Sequence, residues 1–194
     1  MFQRCYSPTA TTTSLTCGNR GVSYGHPSSK PVSPTIHPPQ PASMPSLANQ
    51  FDRAAAHYNE AAEPQRLVID RLVLLLDEHL PKAERHFAHA FEMGTGSGLL
   101  TERIDQLVKV DHWTLADLSP ALLAQVPRLR DPHPEIRVED ASELSLEGLG
   151  IDLFVSSSAI QWLDDPCAYL ERTVHELSAR ATVAVSTFGP DNLL

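Results

Sequence analysis

The 194-residue chain is long enough for one domain with a full hydrophobic core, and its 42% apolar and 20% charged composition is ordinary for a soluble globular protein. A net charge of −9 makes nucleic acid a poor partner, and the longest apolar run, Leu72–Leu76, is far too short to cross a bilayer. Three cysteines (Cys5, Cys17 and Cys167), two of them in a polar N-terminal stretch, argue against a disulfide framework and for a reducing, cytoplasmic setting.

Residues 1–48 hold eight of the sixteen prolines, no Asp or Glu, and only Arg4, Arg20 and Lys30 as fixed cations. Such a segment buries too little apolar surface to offset its ordering entropy and is expected to be disordered. A transit peptide is the weaker reading, and translation from Met44 is a third. Without this stretch, residues 49–194 carry 12 basic and 24 acidic side chains, a net −12.

From residue 49 onward, helical and strand patterns alternate. A short helix is expected at about 50–61, then another at about 64–79, where Leu67, Val68, Leu72 and Leu75 recur at helical spacing. Strand one is expected at about 86–92, followed by a helix with Leu99, Leu100, Ile104 and Leu107 on one face. Strand two, about 112–117, ends at Asp117. Ser119 and Pro120 then supply an N-cap and a first helical residue, and Pro127 stops that helix. Strand three is expected at about 135–139, strand four at 153–157, a helix from Asp165 to Leu177, and strand five at 181–186. This alternation predicts an α/β, Rossmann-like parallel sheet flanked by helices, with ligands at the carboxyl ends of the strands.

The segment Phe91-Glu92-Met93-Gly94-Thr95-Gly96-Ser97-Gly98 sits where strand one gives way to its helix. Glycine at alternate positions permits a tight turn and close approach of a ligand to the backbone. A dinucleotide fingerprint is G-x-G-x-x-G and meets a pyrophosphate. Here the third glycine comes one residue early, and Glu92 would not favour a diphosphate. A ligand with a cationic head and an adenosine tail fits better, and S-adenosylmethionine is such a ligand. Asp117, 23 residues after Gly94, stands where a ribose-binding carboxylate belongs, and Asp140 with Ala141 is placed to reach an adenine amino group. The histidines are scattered without metal-ligand spacing.

Glu92–Gly98, Ala116-Asp-Leu-Ser-Pro120 and Val138-Glu-Asp140 together resemble the motifs of class I S-adenosylmethionine-dependent methyltransferases. Phe51-Asp-Arg-Ala-Ala-Ala-His-Tyr58 with Gln65-Arg66, Asp152–Ser156 with Ala159-Ile-Gln-Trp162, and the run ending Ser186-Thr-Phe are similar to the malonyl-[acyl-carrier protein] O-methyltransferases of biotin synthesis. The resemblance covers about residues 50–194. It implies S-adenosylmethionine as cofactor, held by Glu92, Gly94, Thr95, Gly96, Gly98, Asp117, Leu118, Asp140, Ala141 and Ser156. It also implies that the N-terminal helix folds over the cofactor pocket, that Tyr58 approaches the methyl-transfer centre, that Gln161 and Trp162 meet substrate, and that the partner is an acyl carrier protein bearing a malonyl group. No metal is expected, and a monomer is.

The chemistry implied needs neither a strong acid nor a strong base. A sulfonium leaves as a neutral thioether, and a malonyl carboxylate is already ionised at pH 7, since a carboxyl group titrates at roughly 4. The family pattern continues past strand five with further strands and a lid, which are absent from this chain. Cofactor affinity with poor turnover is therefore the expectation. Arg53 is a candidate anchor for the substrate carboxylate. The competing readings are a class I methyltransferase for another small molecule, a nicotinamide-dependent dehydrogenase, and a non-catalytic cofactor-binding fragment.

Overall fold

A computed structural model describes residues 47–131 and 133–188. The stretch expected to be disordered lies almost wholly outside these residues. The chain runs α1 (Leu47–Ala61), α2 (Glu63–His79), β1 (His86–Met93), α3 (Leu99–Leu107), β2 (Lys109–Asp117), α4 (Pro120–Leu123), β3 (Glu135–Val138), β4 (Leu153–Ser157), α5 (Pro166–Glu176) and β5 (Thr182–Ser186). Two 3-10 turns, Lys82–Glu84 and Ile160–Trp162, punctuate it.

All five strands are parallel, in the order β3-β2-β1-β4-β5. This is the α/β sheet that the sequence predicts. The order reverses beside β1: the chain moves outward through β2 and β3, then returns to place β4 on the other flank of β1. The crevice above such a reversal, at the carboxyl ends of the strands, is where ligands enter open α/β sheets.

Side-chain alternation divides the core in two. Ala90, Leu115, Leu153, Val155 and Ala184 face one layer, together with Leu72 and Leu76 of α2 and Ile104 of α3. Phe91, Met93, Ala116, Phe154 and Tyr169 of α5 fill the other layer. Adjacent strand residues therefore point to opposite faces, and helices cover both, as a buried parallel sheet requires. Across the β1–β4 pair the Phe91 and Phe154 rings stack at 5.9 Å. At the outer edge, β3 alternates instead between half-buried Glu135 and Arg137 and exposed Ile136 and Val138.

Helix α1 begins at Leu47, three residues before its expected start, and two further boundaries differ for identifiable reasons. Strand β2 begins three residues earlier, at Lys109, because its polar start is paired with β1: Asp111 meets both His86 and Lys109 at 2.7 Å. Helix α4 ends at Leu123 rather than near Pro127, since Gln125 N–H and Val126 N–H turn back to Leu122 O and Leu123 O in tightened 3-10 style. Ser119 does act as its N-cap, accepting from Leu122 N–H at 3.1 Å.

Candidate cofactor site

The glycine loop is a compact hydrogen-bonded knot. Gly94, Gly96 and Gly98 have φ of 68°, 57° and 82°, a region that side-chain-bearing residues enter at a cost. Gly94 also has a neighbour constraint, since a Cβ there would lie 2.3 Å from Ala159 Cβ. At Gly98 a Cβ would lie 2.7 Å from Pro127 Cδ.

The loop N–H groups are directed at the protein's own acceptors. Gly94 and Thr95 both donate to Ala116 O, at 2.9 and 3.1 Å. Gly98 donates to Thr95 O at 3.0 Å, and Gly96 to Asp117 Oδ2 at 2.8 Å. A phosphate cradle requires such donors to converge on the ligand. Here four of them are committed internally and two acids, Glu92 and Asp117, stand beside the loop. The geometry disfavours a pyrophosphate, in agreement with the glycine spacing.

Asp117 ends β2 with both carboxylate oxygens engaged: Oδ2 by Gly96 N–H, and Oδ1 by Ser119 N–H at 2.9 Å. Burial pushes its carboxyl above the ordinary range; these N–H donors and that of Leu118 oppose the rise, and nearby Asp52 adds to it. Glu92 is only 1% exposed and accepts from Thr101 Oγ1 at 2.5 Å. Burial drives its pKa up to about 8, against the Thr101 hydrogen bond and with a further push from Asp117. The sequence suggests a charged carboxylate on an open rim; the fold instead buries it behind the loop.

A cavity enclosing about 730 Å³, part of it open to solvent, occupies the crevice. Among the residues singled out from sequence, Gly94, Gly96, Asp117, Leu118, Asp140, Ala141 and Trp162 line it. Glu92 and Thr95 line a smaller adjoining cavity shared with Gly94, Gly96, Gln65 and Ser157. Asp140 accepts from Ser142 N–H at 2.9 Å and from Ser142 Oγ at 2.6 Å, which fixes its turn.

Other expected residues fall elsewhere. Gly98 lines neither cavity and begins α3, where its φ and Pro127 explain the glycine. Ser156 is fully buried and also lines neither; Ser157, Ser158 and Ala159 take the wall position expected of it. Gln161 is turned away, donating to Ser158 O at 2.6 Å and accepting from Thr187 Oγ1 at 3.1 Å. Tyr58 belongs to α1, but its side chain lies outside the described residues.

Phe51 and Leu122 also line the large cavity, though neither is among the candidate site residues. Phe51 meets Trp162 edge-to-face, with ring centroids 6.0 Å apart. Phe51 lies in a quoted family block, but nothing in spacing alone separates a cavity ring from a core ring. Among the described residues no group of His, Cys, Asp or Glu is arranged to hold a metal ion, and no helix is long and apolar enough to cross a membrane.

Comparison with known proteins agrees with this geometry. Residues 91–180 match the family model described as a methyltransferase domain. The malonyl-[acyl-carrier protein] O-methyltransferase of Porphyromonas gingivalis is 31% identical over 76% of this chain and 55% of its own length. That of Laribacter hongkongensis is 35% identical over 74% of this chain and 50% of its own. The chain thus spans about half the length of the curated relatives it matches. Among solved structures, a DhpI–SAM–HEP complex superposes with a TM-score of 0.58 at 17% identity, covering 74% of this chain and 64% of that one. Residues 91–180 therefore match a methyltransferase domain, in a chain that is similar over three quarters of its length to malonyl-[acyl-carrier protein] O-methyltransferases and shares its fold with the DhpI complex.

Proposed function

We propose that this chain binds S-adenosylmethionine in the crevice above β1, β2 and β4, and that it supplies the cofactor-binding part of an O-methyltransferase acting on the free carboxylate of a malonyl group carried by acyl carrier protein. The observation that carries the cofactor reading is the glycine loop, four of whose N–H groups are satisfied internally, flanked by Glu92 and Asp117. The acceptor reading rests on the names of the relatives and on the Phe51–Tyr58 and Ala159–Trp162 blocks.

The residues present fit the cofactor. Asp117, at the end of β2, would hold the vicinal ribose hydroxyls, and Asp140 and Ala141 would meet the adenine edge. The cationic amino-acid end would lie toward Glu92 and Gln65 in the adjoining cavity, where Gln65 Oε1 is buried and without a hydrogen-bond partner. Ser158 Oγ, on the wall of the large cavity, is another buried polar atom without one. Each such atom carries a desolvation cost that a polar ligand would remove.

When bound, the cofactor supplies an electrophilic methyl group on sulfur. The chain's own task is orientation and exclusion of water, which can contribute roughly 7–11 kcal/mol toward the barrier of a bimolecular displacement. Phe51 and Trp162 wall the side of the cavity from which an acceptor would approach, and Tyr58 is the proposed neighbour of the transferring methyl. No proton has to move, because the acceptor carboxylate is ionised at neutral pH.

Titration calorimetry with S-adenosylhomocysteine and with NAD tests the cofactor assignment: binding of the first and not of the second is expected, and the reverse sinks it. Methyl transfer to malonyl-acyl carrier protein, against malonate and malonyl-coenzyme A as competing acceptors, tests the substrate.

A further inference from the structure

Helix α1 lies across the mouth of the cavity, and two consecutive residues touch its two sides. Phe51 lines the cavity and meets Trp162, which follows β4. Asp52 reaches the opposite rim, after β2, where its Oδ1 accepts from Ser119 Oγ at 2.5 Å and from Ala121 N–H at 3.3 Å. Neighbouring residues on a helix point about 100° apart, which lets a single turn span the opening. One turn later Gln125 Nε2 donates to Ala55 O at 2.9 Å.

These contacts tie the described part of α1 to both rims of the crevice. Among the described side chains of α1, Ala55 alone is fully buried. An isolated 15-residue helix is marginal in water, so the place of α1 depends on its contacts with the rest of the fold. A hydrogen bond to a carboxylate is about twice as strong as one between neutral groups.

Ser119 is fully buried and joins three elements. Its hydroxyl donates to Asp52, its Oγ accepts from Leu122 N–H, and its N–H donates to Asp117 Oδ1. Asp117 in turn receives Gly96 N–H. A continuous path of short hydrogen bonds therefore runs from α1 to the glycine loop.

We propose that Asp52 is a positioning residue that latches α1 over the bound cofactor and ties the latch, through Ser119, to the carboxylate of Asp117. The proposal rests on the reading of the cavity as an S-adenosylmethionine site. Asp52 does not line the cavity, so it acts on the ligand only through its neighbours. Ligand exchange requires Phe51 to lift from Trp162, and the Asp52–Ser119 bond opposes that movement. Loss of the latch speeds both entry and exit, so the dissociation rate changes more than the equilibrium constant does. A role confined to fold stability would lower the melting temperature without this kinetic signature.

The test uses the full 194-residue chain and its D52A and D52N variants, with S-adenosylhomocysteine as the probe. The two tryptophans separate the readouts: Trp113 is fully buried in the core, and Trp162 is 52% exposed and packs on Phe51. Stopped-flow fluorescence gives association and dissociation rates, and acrylamide quenching reports α1 docking without ligand. D52A is expected to release the probe at least tenfold faster and to quench more readily, with the Trp113 component unchanged. D52N, which keeps an acceptor oxygen but no charge, is expected to fall between. Should D52A lose its fold, D52N alone decides. If the unsubstituted chain fails to bind S-adenosylhomocysteine, the cofactor reading falls and this proposal with it. If it binds and the folded variants release the probe at the unsubstituted rate, the Asp52 proposal alone is overturned.

Discussion

Thr101 donates its hydroxyl to Glu92 at 2.5 Å, in a part of the core where neither side chain retains more than 1% of its exposure. This bond crosses from the first turn of α3 to the end of β1, on either side of the glycine loop. It supports a carboxyl group that burial has already pushed up to about 8, so Glu92 of the ligand-free chain is mostly protonated at neutral pH.

The first prediction concerns stability. A carboxyl whose folded pKa is raised binds its proton more tightly in the native state. Its contribution is fully present below the unfolded value of 4.5 and is lost as pH rises through about 8. Urea denaturation of the unsubstituted chain should therefore show stability falling by several kcal/mol across that window. E92Q, which keeps the protonated shape, should lack this component and be the more stable protein at pH 8.5. Parallel stability curves for the two proteins would refute the burial account.

Proton linkage to the proposed ligand gives the second. A cationic amino-acid group near Glu92 favours its ionised form, so binding near pH 7 should release a proton. Calorimetry with S-adenosylhomocysteine in two buffers of different ionisation enthalpy should give different apparent heats, and affinity should rise between pH 6 and 8. In E92Q the buffer dependence should vanish and affinity fall about tenfold, a loss of ~1.4 kcal/mol. Equal heats in both buffers for the unsubstituted chain would remove Glu92 from the ligand site.

At Gly94 a side chain meets two obstacles, the left-handed φ of 68° and Ala159 Cβ at 2.3 Å. G94A should cost about 2–4 kcal/mol and abolish binding of the probe. Gly148 offers the control: its φ is 75°, but a Cβ there would have nothing within 4 Å. G148A should cost only about 1–2 kcal/mol and leave binding intact. Equal thermal shifts in the two variants would show that contact with Ala159 is unimportant.

For Asp117 the expectation follows from its donors. Both oxygens accept main-chain N–H groups, from Gly96 and from Ser119. The amide of D117N has one acceptor oxygen, so its NH2 must oppose one of these donors, at about 1–3 kcal/mol. Binding of S-adenosylhomocysteine should weaken at least tenfold, measured by calorimetry. Undiminished affinity would mean that Asp117 serves the loop and not the ligand.

The sheet was legible because its signals are local. Alternating apolar runs bounded by Gly, Pro and Asp mark the five strands, and Ser119 announces its helix as an N-cap; Asp165, read as the first residue of its helix, instead caps it, accepting from Ala168 N–H at 2.9 Å. The glycine loop was equally plain, since backbone requirements are written into glycine itself. The short turns at 82–84 and 160–162 were not read, because three residues carry no period. The depth of Glu92 and the cavity-lining place of Phe51 were hidden for another reason. Both depend on which elements meet in space: β4 beside β1 puts Ser157–Ala159 against the glycine loop, and α1 is brought over the crevice from far away in the sequence. The registry of Ser156 against Ser157 turns on a single residue of strand phase, which pattern alone leaves open.

Ser158 holds a φ of 56°, a conformation that costs a serine free energy and a glycine almost none. Its backbone is pinned on both sides, by N–H to Ser186 O at 2.9 Å and by Gln161 at its carbonyl. A selection for thermal tolerance would therefore favour S158G, and a selection for ligand recognition would resist it where the buried, unpartnered hydroxyl is used. The two pressures meet at one codon, so which residue survives in laboratory evolution under heat, with and without ligand present, records which of them this wall of the crevice answers to.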